Sequence, residues 1–208
     1  MIPSPPGKSL LPKATDIGLY RGMARLSRLL LGALPLGLAL VAGCHSGGPY
    51  NHAVNYVPLS PEENALKDSR EYDPVMYQRL PEEWHAHPVS LFGVVTNRGT
   101  GPGGGAYLTL SVRRLATRNL CENGNDEDSC RTTVSDHDFG VVHALLTLSP
   151  DDNIGPHSIG VASMLRVIGT FAQDADPSDG APILHAAYYR HWPRYFYVTQ
   201  SSAKDMRQ

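Results

Sequence analysis

The hydrophobic positions of the chain follow two patterns, one near the N terminus and one from residue 88 onward. Residues 29–41 form a run of 13 apolar residues that contains a single proline. From residue 88 to residue 200, apolar and polar residues alternate in short segments separated by turns rich in Gly, Asp, Asn and Pro. Alternation with a period of two is typical of strands that have one face in a core and the other in water. The pattern predicts a short N-terminal hydrophobic segment followed by a mainly β domain.

Six segments of this β region have the alternation and the flanking turns of strands. The predicted strands cover residues 89–96, 107–115, 140–148, 164–171, 183–190 and 195–199. The first five are the main strands, and they are separated by turn-rich segments. Strands of this number and spacing are typical of a small barrel or sandwich.

The layout of residues 88–192 resembles an OB-fold barrel. The first predicted strand is bent near Gly93, the second is long, and a connecting segment precedes the fourth strand. A V-x-G pattern that ends at Gly169 then leads through a hairpin into the fifth strand. The resemblance implies an OB-like barrel of five to six strands over residues 88–200, with residues 201–208 as a C-terminal tail. A different six-stranded barrel would give a similar pattern.

Residues 61–87 contain the start signals of two short helices. Ser60, Pro61 and Glu63 have the order of an N-cap, a first helical residue and a capping-box glutamate, which predicts a helix as far as about residue 72. Asp73 and Pro74 form a second start signal, which predicts another short helix through Leu80. We expect Pro81 to end that helix, because proline cannot continue one.

Residues 1–43 have the features of a secretory signal peptide. Three arginines precede the apolar run, which is too short to cross about 30 Å of hydrocarbon but has the length of a signal-peptide core. The motif that follows, Val41-Ala42-Gly43-Cys44, resembles the lipobox of bacterial lipoproteins. The resemblance implies that residues 1–43 are removed and that Cys44 carries the acyl chains. The alternative is a buried apolar helix that happens to end in Gly-Cys.

The residues around the predicted cleavage site indicate where the chain is sent. Met23 is an alternative start that would give a shorter leader. His45 follows Cys44 and no Asp stands there, so resemblance to proteobacterial lipoproteins implies the outer membrane, where we expect the periplasmic face. The barrel layout is also similar to that of starvation-inducible outer-membrane lipoproteins. Residues 44–60 are rich in Gly, Pro and Asn and lack a period, which predicts a flexible tether between the membrane and the barrel.

The charge of the mature chain bears on its partners. Residues 1–43 hold five of the 18 Lys and Arg and one of the 20 Asp and Glu, so the rest of the chain has a formal net charge of −6. A chain with a net negative charge is repelled by nucleic acid and by anionic lipid headgroups. We therefore expect no nucleic-acid partner, and we expect membrane attachment through the lipid anchor alone.

Cys121 and Cys130 are the two cysteines that remain if Cys44 is acylated. An even pair in an oxidising compartment predicts a disulfide. The bridge would close a short turn-rich loop and stabilise the fold by roughly 2–3 kcal/mol through the entropy of the unfolded chain. The alternative, two free thiols for metal or redox chemistry, lacks C-x-x-C spacing.

An aromatic segment near the C terminus is the candidate ligand site. Residues 188–197 contain six of the sixteen aromatic residues of the chain. Aromatic rings beside arginine and histidine can stack on a flat ligand or a sugar and orient it by hydrogen bonds. The predicted ligand-binding residues, which include two arginines expected to point outward from strands, are Tyr189, Arg190, His191, Trp192, Arg113 and Arg166. The alternative is that these rings close the end of the barrel or pack on the N-terminal helices.

The sequence contains no catalytic motif such as a G-x-S-x-G elbow. We predict a non-enzymatic envelope protein that binds or supports a protein, a glycan or a small ligand, with no cofactor and no metal. The alternative is a metal-assisted enzyme, which would require three or four donor side chains to converge. The histidines considered for that role are His85, His87, His137 and His185. Asp136 and Asp138, on either side of His137, would add oxygen donors.

Overall fold

The computed structural model describes residues 49–50 and 52–206. The predicted signal peptide, the lipobox and Cys44 lie outside the described residues. Within the described ranges, no helix has the length and apolar character that crossing a membrane requires.

Strands make up most of the regular structure. The α-helices are α1 (Ser60–Leu66), α2 (Pro74–Arg79), α3 (Pro81–His85) and α4 (Pro150–Asn153). The strands are β1 (Arg70–Glu71), β2 (Val89–Thr100), β3 (Ala106–Arg113), β4 (Leu120–Cys121), β5 (Cys130–Val134), β6 (Val141–Leu146), β7 (Met164–Ala175), β8 (Pro182–Trp192) and β9 (Tyr197–Thr199). Short 3₁₀ turns lie at Pro102–Gly104, Glu127–Ser129 and Gln200–Lys204. The predicted mainly β architecture, with short helices before the strands, is confirmed.

Five long strands form the barrel. β2 pairs with β3, which pairs with β6, and the order continues through β8 to β7. β7 pairs in turn with β2, so the two ends of the sheet meet. Every pair is antiparallel except β6 with β8. With β1 added beside β2 as a sixth strand, this order confirms the prediction of a small OB-like barrel.

The glycine of the V-x-G pattern is required by close packing of two strands. Gly169 lies where the register of β7 against β8 shifts. A Cβ atom at this position would lie 2.0 Å from the backbone oxygen of His185. Any other residue would push the two strands apart, because the obstacle is backbone and not a flexible side chain.

The barrel interior is filled by the alternating apolar residues that the pattern identified. Leu108 and Leu110 of β3 are fully buried there, together with Leu165 and Val167 of β7. Ile159, from the segment that connects β6 to β7, belongs to the same cluster. The connecting segment therefore contributes directly to the core.

The helices differ from the prediction in their bounds. α1 ends at Leu66, six residues before the expected end. α2 ends at Arg79, before Pro81, as expected, and Pro81 itself begins a further short helix, α3. Proline is tolerated at a first helical position because the N–H that it lacks has no partner there. Leu59, not Ser60, is the N-cap of α1, and its N–H donates to Glu62 Oε2 at 3.1 Å.

Part of the predicted flexible tether is bound to the barrel. We call residues 49–50 and 52–66 the N-terminal segment. The backbone oxygens of Pro49 and Tyr50 accept hydrogen bonds from Arg190 Nε and Trp192 Nε1, at 2.9 and 3.0 Å. The prediction of a free tether is therefore wrong for the described residues of 44–60, because buried side chains of β8 bind their backbone.

The disulfide between Cys121 and Cys130 is present, as predicted. It joins β4 to β5, which are antiparallel partners at these two residues. β5 also pairs in parallel with β9, so the bridge belongs to a small three-stranded sheet outside the barrel.

Candidate functional site

The residues predicted to bind a ligand separate into two groups in the structure. Tyr189, Arg190 and His191 line a groove of about 590 Å³ beside β8. Trp192 and Arg166 do not line it, and Trp192 has no exposed surface. Arg113 also lies outside the groove, where it donates a hydrogen bond to the backbone oxygen of Asp136. The structure therefore brings together only part of the predicted set.

A buried ion-pair cluster holds the two arginines of β7 and β8. Glu62 of α1 is fully buried, and its two carboxylate oxygens accept from Arg166 Nη1 at 2.8 Å and Arg190 Nη1 at 3.0 Å. Tyr56 donates a further hydrogen bond to Glu62. Burial, followed by the charge of Glu62, raises the pKa of Tyr56, which keeps its hydroxyl protonated. Arg166 points away from the barrel core, which its neighbours Leu165 and Val167 fill, but Glu62 of α1 covers it and is its counter-ion.

Trp192 packs beneath the N-terminal segment. Its ring centroid lies 6.1 Å from those of both Tyr56 and Phe92. Its indole N–H is bound to the backbone oxygen of Tyr50. In this structure a ligand could reach Trp192 only if the N-terminal segment moved away.

The groove lies between three parts of the chain. Pro49 and Tyr50 of the N-terminal segment form one wall, and Tyr189 and His191 of β8 form another. The third wall is the connecting segment at Asp151–His157, which begins within α4. Tyrosine rings and polar groups thus face the same space.

Asp152 organises the polar side of the groove. Its Oδ1 lies 3.0 Å from His191 Nδ1, and its Oδ2 accepts a hydrogen bond from Tyr189 Oη at 2.7 Å. Ser149, the N-cap of α4, donates to the same Oδ2 at 2.7 Å. Burial alone would raise the pKa of Asp152, but hydrogen bonds from Ser149, Tyr189 and His191 lower it overall. Asp152 is therefore an anion that fixes two groove side chains.

His191 has one ring nitrogen bound and one without a partner. Its side chain is only 7% exposed, and Nε2 has no hydrogen-bond partner among the described residues. Burial lowers the pKa of His191, and Asp152 opposes that shift in part. A neutral imidazole that donates from Nδ1 to Asp152 leaves Nε2 as an acceptor. His191, a residue of the groove wall, thus holds a buried acceptor nitrogen with no partner among the described residues.

The sequence identified Tyr189, Arg190 and His191 but not Asp152. The signal for Asp152 was present, because Ser149 followed by Pro150 has the order of an N-cap and a first helical residue. That pattern predicts where α4 begins, but the direction in which its carboxylate points depends on how the connecting segment crosses the barrel. This long-range packing has no counterpart in the local sequence.

The histidines considered for a metal-assisted enzyme are not gathered in one place. His87, His137 and His185 are exposed, and His85 packs near Tyr77, at 5.8 Å between ring centroids. None of them belongs to a group of three close metal-ligating side chains in the part of the chain that the structure describes. A different histidine, His143, does belong to such a group.

No protein-family model matches this chain, and the search of curated proteins finds no match either. The functional interpretation therefore depends on the groove and on the sequence features of the N terminus.

Proposed function

We propose that the protein is an envelope lipoprotein, anchored through Cys44 in the outer membrane on its periplasmic face, whose barrel binds a glycan in the groove beside β8. The protein acts as a non-enzymatic binding module. The observation that carries this proposal is the arrangement of Asp152, Tyr189 and His191. One carboxylate fixes a tyrosine ring and an imidazole, and the imidazole keeps an acceptor nitrogen without a partner.

The chemistry of the groove favours a neutral ligand that is rich in hydroxyl groups. Tyrosine rings offer flat apolar surfaces on which a sugar ring can stack, as such rings do in many small-molecule sites. The Asp151 and Asp152 carboxylates line the groove and are acceptors, which suit the hydroxyl donors of a sugar. Arg190 also lines the groove, but its guanidinium is paired with Glu62, so an anionic ligand gains little from it.

The lipid anchor and the export of the chain are proposed from the leader and the lipobox motif. The disulfide between Cys121 and Cys130 supports export, because such bridges persist in oxidising compartments. The negative charge of the mature chain supports a partner other than nucleic acid.

Binding of the full chain to insoluble peptidoglycan and to neutral chitin oligosaccharides tests the glycan claim. Asp152→Asn and His191→Ala alter the acceptors of the groove, whereas Tyr195→Ala removes a ring that is 78% exposed and does not line it. We expect the two groove variants to weaken glycan binding at least about fivefold, the effect of losing one hydrogen bond of about 1 kcal/mol. The control variant should bind as the unaltered chain does.

Two results would contradict the proposal. If the unaltered chain binds neither glycan, the ligand class is wrong. If it binds one of them and the groove variants bind equally well, the glycan contacts another surface. Thermal unfolding of each variant separates loss of binding from loss of fold.

A further inference from the structure

Two aspartates of one turn converge on a buried histidine of the barrel. His143 lies in the middle of β6, where β8 pairs with it in parallel. Asp176 and Asp179 belong to the turn between β7 and β8. None of the three lines the groove described above.

The backbone of the turn holds both carboxylates in position. Asp176 Oδ1 accepts from the N–H of Ser178 at 2.8 Å, and Asp179 Oδ1 accepts from the N–H of Ala181 at 2.9 Å. Each carboxylate therefore presents its other oxygen, Oδ2, to His143. The distances from His143 Nε2 are 2.9 Å to Asp179 Oδ2 and 4.0 Å to Asp176 Oδ2.

The imidazole of His143 is fixed from its other side. Its Nδ1 lies 3.3 Å from Thr109 Oγ1, and its ring stacks on Tyr107 with 5.1 Å between centroids and 8° between planes. Tyr107 also donates a hydrogen bond to Asp176 Oδ2. Partners of this kind orient metal-binding histidines and carboxylates in proteins.

The aspartates are charged at neutral pH. Hydrogen bonds from the side chain of Ser178 and from Tyr107 lower the pKa of Asp176 to about 2. The N–H of Ala181, followed by His143, lowers the pKa of Asp179. Two negative charges thus face one imidazole nitrogen, and a divalent cation between them would neutralise both.

We propose that His143, Asp176 and Asp179 form a binding site for a divalent transition-metal cation of the zinc class. Their donor atoms all lie within 4.8 Å of one another. Zinc bonds of about 2.0–2.2 Å in a tetrahedral site place neighbouring ligand atoms about 3.3–3.6 Å apart, and the two distances from Nε2 bracket this range. The imidazole ligand favours zinc over magnesium or calcium, which take oxygen ligands. The Asp179 side chain is 44% exposed, which leaves an entry path from solvent.

Zinc titration of the full chain, stripped of metal with a chelator, tests this site. Isothermal titration calorimetry should give one tight zinc per chain, and the melting temperature should rise with zinc concentration. Asp179→Asn should weaken zinc binding at least about tenfold, because even the loss of an outer partner weakens metal sites by about 10–100-fold. Asp174→Asn is the matched control, since it removes the same charge from an exposed position on β7 near the turn.

Asp176→Asn provides a second ligand variant in case the first disturbs the turn. The proposal is overturned if the unaltered chain does not bind zinc, or if both ligand variants bind zinc as the control does. It is also overturned if magnesium binds as tightly as zinc. None of these readouts depends on the proposed glycan binding.

Discussion

Two opposing influences act on the imidazole of His191. Burial favours its neutral form, and Asp152 favours its charged form, with burial the larger effect. A single residue thus links the groove to the pH dependence of stability.

His191 should make the fold less stable as the solution becomes mildly acidic. Its pKa is lower in the folded chain than in the unfolded chain, where it is about 6.5. As the pH falls toward and below about 6.5, the unfolded chain binds the proton before the folded chain does. The free energy of unfolding therefore decreases until the pH reaches the lower pKa of the folded chain. We expect the loss of unfolding free energy between about pH 7.5 and 5.5 to be smaller in His191→Gln than in the unaltered chain.

Urea unfolding at several pH values measures this difference. His87→Gln replaces an exposed histidine and should retain the dependence of the unaltered chain. If the free energy of unfolding depends on pH equally in His191→Gln and in the unaltered chain, the pKa of His191 is not lowered by folding.

At the scale of elements, the attachment of α1 to the barrel depends on the carboxylate of Glu62. Glu62 is the residue of α1 that is buried, and it reaches across to Arg166 of β7 and Arg190 of β8. Its Oε2 also accepts from the N–H at the start of α1. Loss of this carboxylate would remove the acceptor that Arg166 and Arg190 share.

Glu62→Ala should therefore destabilise the fold strongly. Breaking a buried ion pair by removing one partner costs about 3–5 kcal/mol. Glu63→Ala, the neighbouring exposed glutamate of the same helix, should change the free energy of unfolding by less than about 0.5 kcal/mol. Chemical denaturation of the two variants measures both values, and an equally small effect of Glu62→Ala would refute the role given to the cluster.

Elements with a regular local pattern could be predicted from sequence, and those held by distant contacts could not. The six predicted strands correspond to β2, β3, β6, β7, β8 and β9, because each exposes one face or ends at clear turn residues. β5 was missed because its sequence, Cys-Arg-Thr-Thr-Val, has no alternation of apolar and polar residues. The N-terminal segment was missed because its partners on β8 lie more than 130 residues away in the chain.

At the scale of the molecule, the contrast between local sequence pattern and distant contacts also explains which residues of the groove could be predicted. Tyr189 and His191 belong to an unusual aromatic segment, so composition alone pointed to them. Trp192 belongs to the same segment but faces the opposite side of β8, and the N-terminal segment covers it. The group at His143 was not predicted, because Asp176 and Asp179 reach it only through the parallel pairing of β6 with β8.

The central claim is that the chain is a lipoprotein of the envelope. Metabolic labelling of cells with a fatty-acid probe, followed by separation of the membranes, tests it most directly, with Cys44→Ala as the variant and Cys121→Ala/Cys130→Ala as the control for general loss of cysteine. We predict that the unaltered chain and the control are labelled and found in the outer membrane, and that Cys44→Ala is neither. An unlabelled chain, or equal labelling of Cys44→Ala, would contradict the account.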